Sequence, residues 1–175
     1  RKLGRGLYFS HDHYGKDHVS DNILGTEIGD NQQEIIDIIN EYPIAEASRT
    51  ALSRLLSEKK NYLKGMGSKE DKINLLRRTS YSDFLRKYIH IQEEVVQLYR
   101  DMARGLWGIG WDALSALDAY KSQMPGTRYL NLELVDESYQ RDEPYIFHFP
   151  DGNAGVARSI VRNLIPSAIP GSTME

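Results

Sequence analysis

Cysteine is absent from the chain. That excludes structural disulfides, thiolate zinc sites and a cysteine nucleophile, and leaves five histidines and the carboxylates as possible metal ligands. Long apolar runs are missing too: no stretch reaches the ~18 residues that a membrane-crossing helix needs. Positive charge is not in excess, since 22 Lys and Arg stand against 25 Asp and Glu, a net charge of −3. Without a basic field to draw phosphates, nucleic acid is not an expected partner. Several catalytic signatures are also lacking: a phosphate-cradling G-x-x-x-x-G-K-[ST] loop, the G-x-S-x-G elbow, H-E-x-x-H, and G-x-G-x-x-G after a strand pattern. Gly108-Ile-Gly110 precedes a helical pattern but follows no convincing strand, so it does not qualify.

What is present fits one globular domain of ordinary size: 175 residues, 40% of them hydrophobic. Leu7-Tyr-Phe-Ser reads as a short strand. His11, His13 and His18 lie beside Asp12 and Asp17, but no helix converges them, and a solvated loop accounts for them better than a metal cluster does. Gly15 to Val19 reads as a turn leading toward Ile23.

Asp30 can cap a helix carrying Ile35, Ile36, Ile38 and Ile39, which Pro43 stops. A longer helix follows, with Ile44, Ala47, Ala51, Leu52, Leu55 and Leu56 on one face and its end expected at Gly65-Met-Gly67. Ser68 with Asp71 forms a capping box for a short helix ending at Arg77-Arg78. Ser80 or Ser82 caps the next, up to Ile89, and Glu93 to Ala103 is amphipathic. Arg104 to Asp112 interleaves glycines with Trp107, Ile109 and Trp111 and reads as an aromatic loop before a helix from Ala113 to Tyr120. Beyond Pro125-Gly126 the pattern alternates over Tyr129 to Val135, which predicts a strand.

The last part reads as strand, turn and helix. Tyr145, Phe147 and Phe149 alternate with Ile146 and His148; Pro150 to Asn153 supplies the turn; Val156, Ile160, Val161 and Leu164 recur at helical spacing. Gly152 and Gly155 allow positive φ and close approach of a flat ligand, and a helix start presents free N–H groups. The same residues also suit an ordinary strand-to-helix connection. The expected class is α+β, mainly helical.

Three segments carry a resemblance: Tyr81-Ser-Asp-Phe-Leu-Arg-Lys-Tyr88, Leu106-Trp-Gly-Ile-Gly-Trp-Asp-Ala-Leu-Ser-Ala-Leu-Asp-Ala-Tyr120, and Phe147-His-Phe-Pro-Asp-Gly-Asn-Ala-Gly-Val-Ala-Arg158, the last followed by Leu164-Ile-Pro and Pro170-Gly-Ser-Thr-Met174. In this order and spacing the chain, from about Tyr8 onward, resembles FAD-dependent amine oxidoreductases, most closely the bacterial spermidine dehydrogenase-like flavoproteins. The resemblance implies a substrate-binding domain inserted in a Rossmann-type FAD-binding fold and truncated at both ends. Residues 1–143 would be the mainly helical substrate-binding domain, and 144–175 a strand-turn-helix returning toward the FAD-binding domain. The dinucleotide fingerprint would lie upstream of Arg1, and the piece by itself is expected to be inactive.

By the same resemblance the cofactor is FAD, and the Gly152, Asn153, Ala154 and Gly155 turn borders it. The family's return usually has two adjacent glycines, where this chain has Asp151 first. An amine or polyamine substrate would meet carboxylates and aromatic faces, for which Asp118, Glu133, Asp151, Trp107, Trp111 and Tyr120 are the candidates. Each has a structural alternative: a solvated helix face for Asp118, the outer side of a strand for Glu133, and core packing for the tryptophans. Some relatives carry haem, for which His148 is a conceivable axial ligand, although between two aromatic residues a packed histidine is the simpler reading. Two other functions stay open: a flavoenzyme of the same plan with a non-amine substrate, desaturase or protoporphyrinogen oxidase-like, and a non-catalytic helical module whose acidic surface binds a basic partner.

Overall fold

The computed structural model describes residues 6–23, 32–134 and 152–170. Asp30, the acidic connection from Asp136, the predicted strand Tyr145 to Phe149 with His148, and Asp151 lie outside the described residues. The chain divides into two compact units, Arg1–Asp136 and Glu137–Glu175.

The first unit is mainly helical with a small antiparallel sheet. Strands β1 (Gly6–Phe9) and β2 (His18–Asp21) pair with Tyr8 opposite Val19 and Phe9 opposite His18, and the short helix α1 (His11–Tyr14) joins them. The Gly15 turn thus leads into a strand, where the sequence indicated only a connection. Asp17 fastens this hairpin, accepting hydrogen bonds from the Tyr8 hydroxyl at 2.6 Å and the His11 amide at 2.8 Å. One wall of the hairpin is buried because Phe9 meets Tyr14 and Tyr42 edge-on or tilted, at ring separations of 5.0 and 4.9 Å.

Helix α2 (Gln32–Glu41) buries Ile35 and Ile39, and α3 (Glu46–Ser57) buries Ala51, Leu52 and Leu55. Between them Pro43 breaks the run as expected, and Arg49 closes the corner by donating to the carbonyls of Tyr42 and Ile44. Helix α3 stops at Ser57, well before Gly65. Glu58 is already extended, at φ −76 and ψ 117. Asn61 then shapes a turn of its own: its side-chain carbonyl accepts the Leu63 amide at 3.0 Å while its amide reaches the Leu130 carbonyl at 3.1 Å. That turn drives Leu63 into the core.

Helix α4 (Lys69–Arg78) has the capping box read from the sequence: the Asp71 amide donates to the Ser68 hydroxyl, and the Ser68 amide to the Asp71 carboxylate. Ser80, rather than Ser82, caps α5 (Tyr81–Phe84), which runs on as a π turn, Leu85–Ile89. Its close is His90 at φ 58, a left-handed position unusual for a residue with a Cβ. Helix α6 (Glu93–Tyr99) continues as a 3-10 turn, Arg100–Ala103, and as α7 (Arg104–Trp107), so the expected glycine-rich loop is helical in its first half. Gly108, at φ 71, ends α7.

Helix α8 (Ala116–Lys121) starts at the Ser115 cap, later than the expected Ala113. It packs on α4 and α5, while α3 packs on α2 and α6. A single apolar core runs through these helices.

The strand predicted for Tyr129 to Val135 does not form within the described residues. Leu130 and Leu132 are buried and Asn131 and Glu133 exposed, so the alternation is real. However, Asn131 and Glu133 take φ 55 and 53, left-handed values that no strand tolerates. The leucines are seated instead by side-chain bonds from Asn61 and to Tyr120.

In the second unit the described element is α9 (Asn153–Leu164), the helix expected from its apolar spacing.

Candidate functional site

Of the six side chains predicted to meet substrate, Asp151 lies outside the described residues and the rest do not converge on one cavity. Trp111 belongs to the core. It is fully buried, edge-on to Tyr81 at 4.7 Å and stacked on Tyr99 at 6.0 Å. The loop after α7 drops it there: the Trp111 amide donates to the Arg100 carbonyl at 2.8 Å, and the Ser82 amide to the Trp111 carbonyl at 2.9 Å. Gly110 permits that approach, since a Cβ on it would stand 2.5 Å from an Asp112 carboxylate oxygen and 3.2 Å from the Arg100 carbonyl oxygen. Trp107, half-buried, packs against the same core.

Tyr120 is buried, and its hydroxyl accepts the Leu132 amide at 2.8 Å. Asp118 sits in the first turn of α8, where Ser115 donates to its carboxylate at 2.7 Å. Glu133 is 85% exposed and takes the ammonium of Lys69 at 2.8 Å. The Lys69 hydrogen bond holds the Glu133 carboxyl below its ordinary value, and the same bond raises Lys69.

The histidines near the N-terminus are divided between α1 and β2. Among the described residues no group of three or more His, Asp or Glu is placed to hold a metal ion, and no helix is long and apolar enough to cross a membrane.

At the start of α9, Gly152 has φ 75 and ψ −171, a region essentially closed to residues with a Cβ. A Cβ added there would meet nothing within 4 Å, so the constraint is the backbone and not crowding. No side chain caps the helix. Gly152, Asn153 and Ala154 are exposed and Gly155 is buried.

A cleft of about 360 Å³ opens where the end of α3 meets the turn after α8, lined by Leu55, Leu56, Ser57, Glu58, Lys59, Gln123, Pro125, Gly126, Arg128 and Tyr129. None of the residues nominated from the sequence is among them. Two features build it. Gly126, at φ 78, lets the turn press onto Leu55 and Ile89, where a Cβ would overlap both. Tyr81, fully buried, donates its hydroxyl to the Pro125 carbonyl at 2.7 Å and so ties the turn to α5. Burial pushes the Tyr81 hydroxyl far up, which keeps it a donor.

At the rim, the Tyr62 hydroxyl donates to Glu58 at 2.7 Å, and Lys60 stands 3.7 Å from the same carboxylate. Burial, and then the Glu58 carboxylate, raise the Tyr62 hydroxyl well above its usual range. Arg128 donates its Nε to the Gln123 carbonyl at 2.8 Å. Of this cleft the sequence carries one local signal, the Pro125-Gly126 turn; its other wall is contributed by residues far away in the chain.

No family model matches the chain, and no curated protein does.

Proposed function

We propose that the chain is the substrate-binding portion of a FAD-dependent oxidoreductase that oxidises an amine or polyamine, spermidine-like, by hydride transfer to the flavin. The reading rests on the resemblance of the three segments, and the structural observation that carries it is the opening of α9. Gly152 holds a conformation reserved for glycine while facing open space. A backbone held so without crowding suits the close approach of a flat ring. Gly152, Asn153, Ala154 and Gly155 are the residues that would border the cofactor. FAD, when bound, supplies the acceptor for the hydride on the carbon beside a neutral amine.

The remaining work falls to this chain's own residues: holding the amine, orienting it and attracting its charge. Asp118 and Glu133 both keep carboxylates at the surface of the first unit, each engaged by a protein donor. A polyamine reaching Glu133 would replace the Lys69 ammonium with one of its own, an exchange of like for like that costs little in an exposed pair.

A second reading, a helical interaction module, is favoured by one observation. Helix α9 leaves Ile160 and Leu164 exposed, at 55% and 73%, on an otherwise amphipathic helix.

The test is to express the chain with its flanking sequence, reconstitute with FAD, and follow flavin absorbance anaerobically with spermidine. Bleaching is expected, and Gly152→Val should lower flavin occupancy with the fold intact by circular dichroism. Bleaching by another donor but not by any amine moves the assignment to the non-amine flavoenzymes. A colourless protein after reconstitution removes the flavin and leaves the interaction module.

A further inference from the structure

We propose that the cleft between the end of α3 and the 123–129 turn binds a small organic monocarboxylate, seated on Arg128. The inference does not depend on the flavin reading, and it concerns a ligand of opposite charge.

Arg128 is half-buried, and its Nε is spent on the Gln123 carbonyl at 2.8 Å. That bond orients the guanidinium, while its two terminal nitrogens have no acceptor among the described residues. Arg49, Arg54, Arg77, Arg86 and Arg100 by contrast each give at least one terminal nitrogen to a protein oxygen, and Arg78 and Arg104, which do not, lie outside this cleft. A pre-oriented fork with both tips available matches the two oxygens of a carboxylate.

Lys59 lines the same cleft and has no ion pair among the described residues. The one lining carboxylate, Glu58, is occupied by the Tyr62 hydroxyl and neighboured by Lys60. Lys59 and Arg128 against Glu58 leave a single net positive charge on the lining, which one carboxylate neutralises and which repels an ammonium. The negative end of α3 opposes an anion, but a partial charge of about half an electron does not reverse the single net positive one.

The rest of the ligand would lie on the half-buried Leu56 and the Tyr129 ring. Tyr129 is 40% exposed although aromatic. The volume, about 360 Å³, falls at the small end of the range of roughly 300–1,000 Å³ usual for ligand sites.

The test is a titration of the isotopically labelled chain, followed by NMR, with three probes that share a phenyl ring: benzoate, phenyl phosphate and benzyl alcohol. Benzoate is expected to shift Gly126, Tyr129 and the Arg128 Nε–H saturably, and to bind tightest. Arg128→Gln should weaken it about tenfold or more, the loss expected for charge-assisted bonds. Lys59→Gln, at an exposed side chain, should weaken it a few-fold, and Arg128→Lys, which keeps the charge but loses the fork, should reduce the preference for benzoate over benzyl alcohol by less than Arg128→Gln does. Equal affinity for benzyl alcohol, or benzoate affinity unchanged in both Arg128→Lys and Lys59→Gln, overturns the anion site. Tighter binding of phenyl phosphate than of benzoate overturns the carboxylate assignment, and no saturable shift with benzoate at millimolar concentration overturns the site altogether.

Discussion

Replacing Gly126 by alanine tests the packing that builds the cleft. Two costs add. The first is conformational: at φ 78 an L-residue is in the left-handed region, a penalty of about 1–2 kcal/mol. The second is steric. An added Cβ would overlap Ile89 Cδ1 and lie 2.9 Å from Leu55 Cδ1, and both side chains are essentially inaccessible, so neither tip can swing into solvent. Overpacking of this kind costs about 1–3 kcal/mol. Together Gly126→Ala should lose about 2–5 kcal/mol, a large part of the roughly 5–15 kcal/mol that stabilises a typical domain.

The two parts separate in a double-mutant cycle. Ile89→Val deletes the overlapping methyl and by itself costs about 0.5–1.5 kcal/mol. With that methyl gone, the double variant should be more stable than the sum of the singles predicts, by about 1 kcal/mol, while the left-handed penalty remains. Urea denaturation reads this directly as midpoint shifts at constant slope. If Gly126→Ala costs under about 1 kcal/mol, the backbone argument is wrong; if the cycle is additive, the overlap with Ile89 is.

Tyr81→Phe removes the donor to the buried Pro125 carbonyl, and should cost about 1–3 kcal/mol by the same denaturation assay, with the aromatic contact to Trp111 retained. Glu93 is held down to about 2, from an ordinary 4.5, first by the Arg86 hydrogen bond and then by Gln97. Because the folded value is depressed, its contribution is full above pH 4.5 and lost as pH falls through about 2. Glu93→Gln should therefore be less stable than wild type at neutral pH, with the gap closing over that window. The side chain is 56% exposed, so screening keeps the gap below about 1 kcal/mol. Ser68→Ala should speed hydrogen exchange at the first-turn amides of α4, the Asp71 amide above all, and leave Leu76 protected. Asp71, held low first by the Ser68 hydroxyl, should then titrate closer to its ordinary range in NMR.

Much of the helical layout needed only the sequence. The capping box at Ser68, the stop at Pro43 and the apolar spacing of Val156, Ile160 and Leu164 each act within a turn or two of the backbone, where the hydrogen-bond partners are also sequence neighbours. The same locality misled at Tyr129 to Leu134. Alternating burial was legible there, but whether a strand forms depends on a partner ladder and on φ, and Asn131 and Glu133 are left-handed. For α3, apolar spacing read past the end that the Asn61 turn imposes through a bond to Leu130.

Side-chain fates were the least legible. An aromatic residue looks the same in a sequence whether it lines a cavity or fills a core, and Trp111 was put into the core by backbone bonds to Arg100 and Ser82. Asp118 and Glu133 were recognisable as carboxylates, but not as partners of Ser115 and Lys69. By itself the sequence determined the mainly helical class, the starts of α4, α6 and α9, and the glycine at 152 that opens α9. Only the tertiary structure decided that the end of α3 and the turn at Gly126 meet, because that contact joins residues far apart in the chain through Ile89 and Tyr81. Local propensity acts over a few residues, whereas the orientation and free tips of Arg128 follow from what packing leaves beside it.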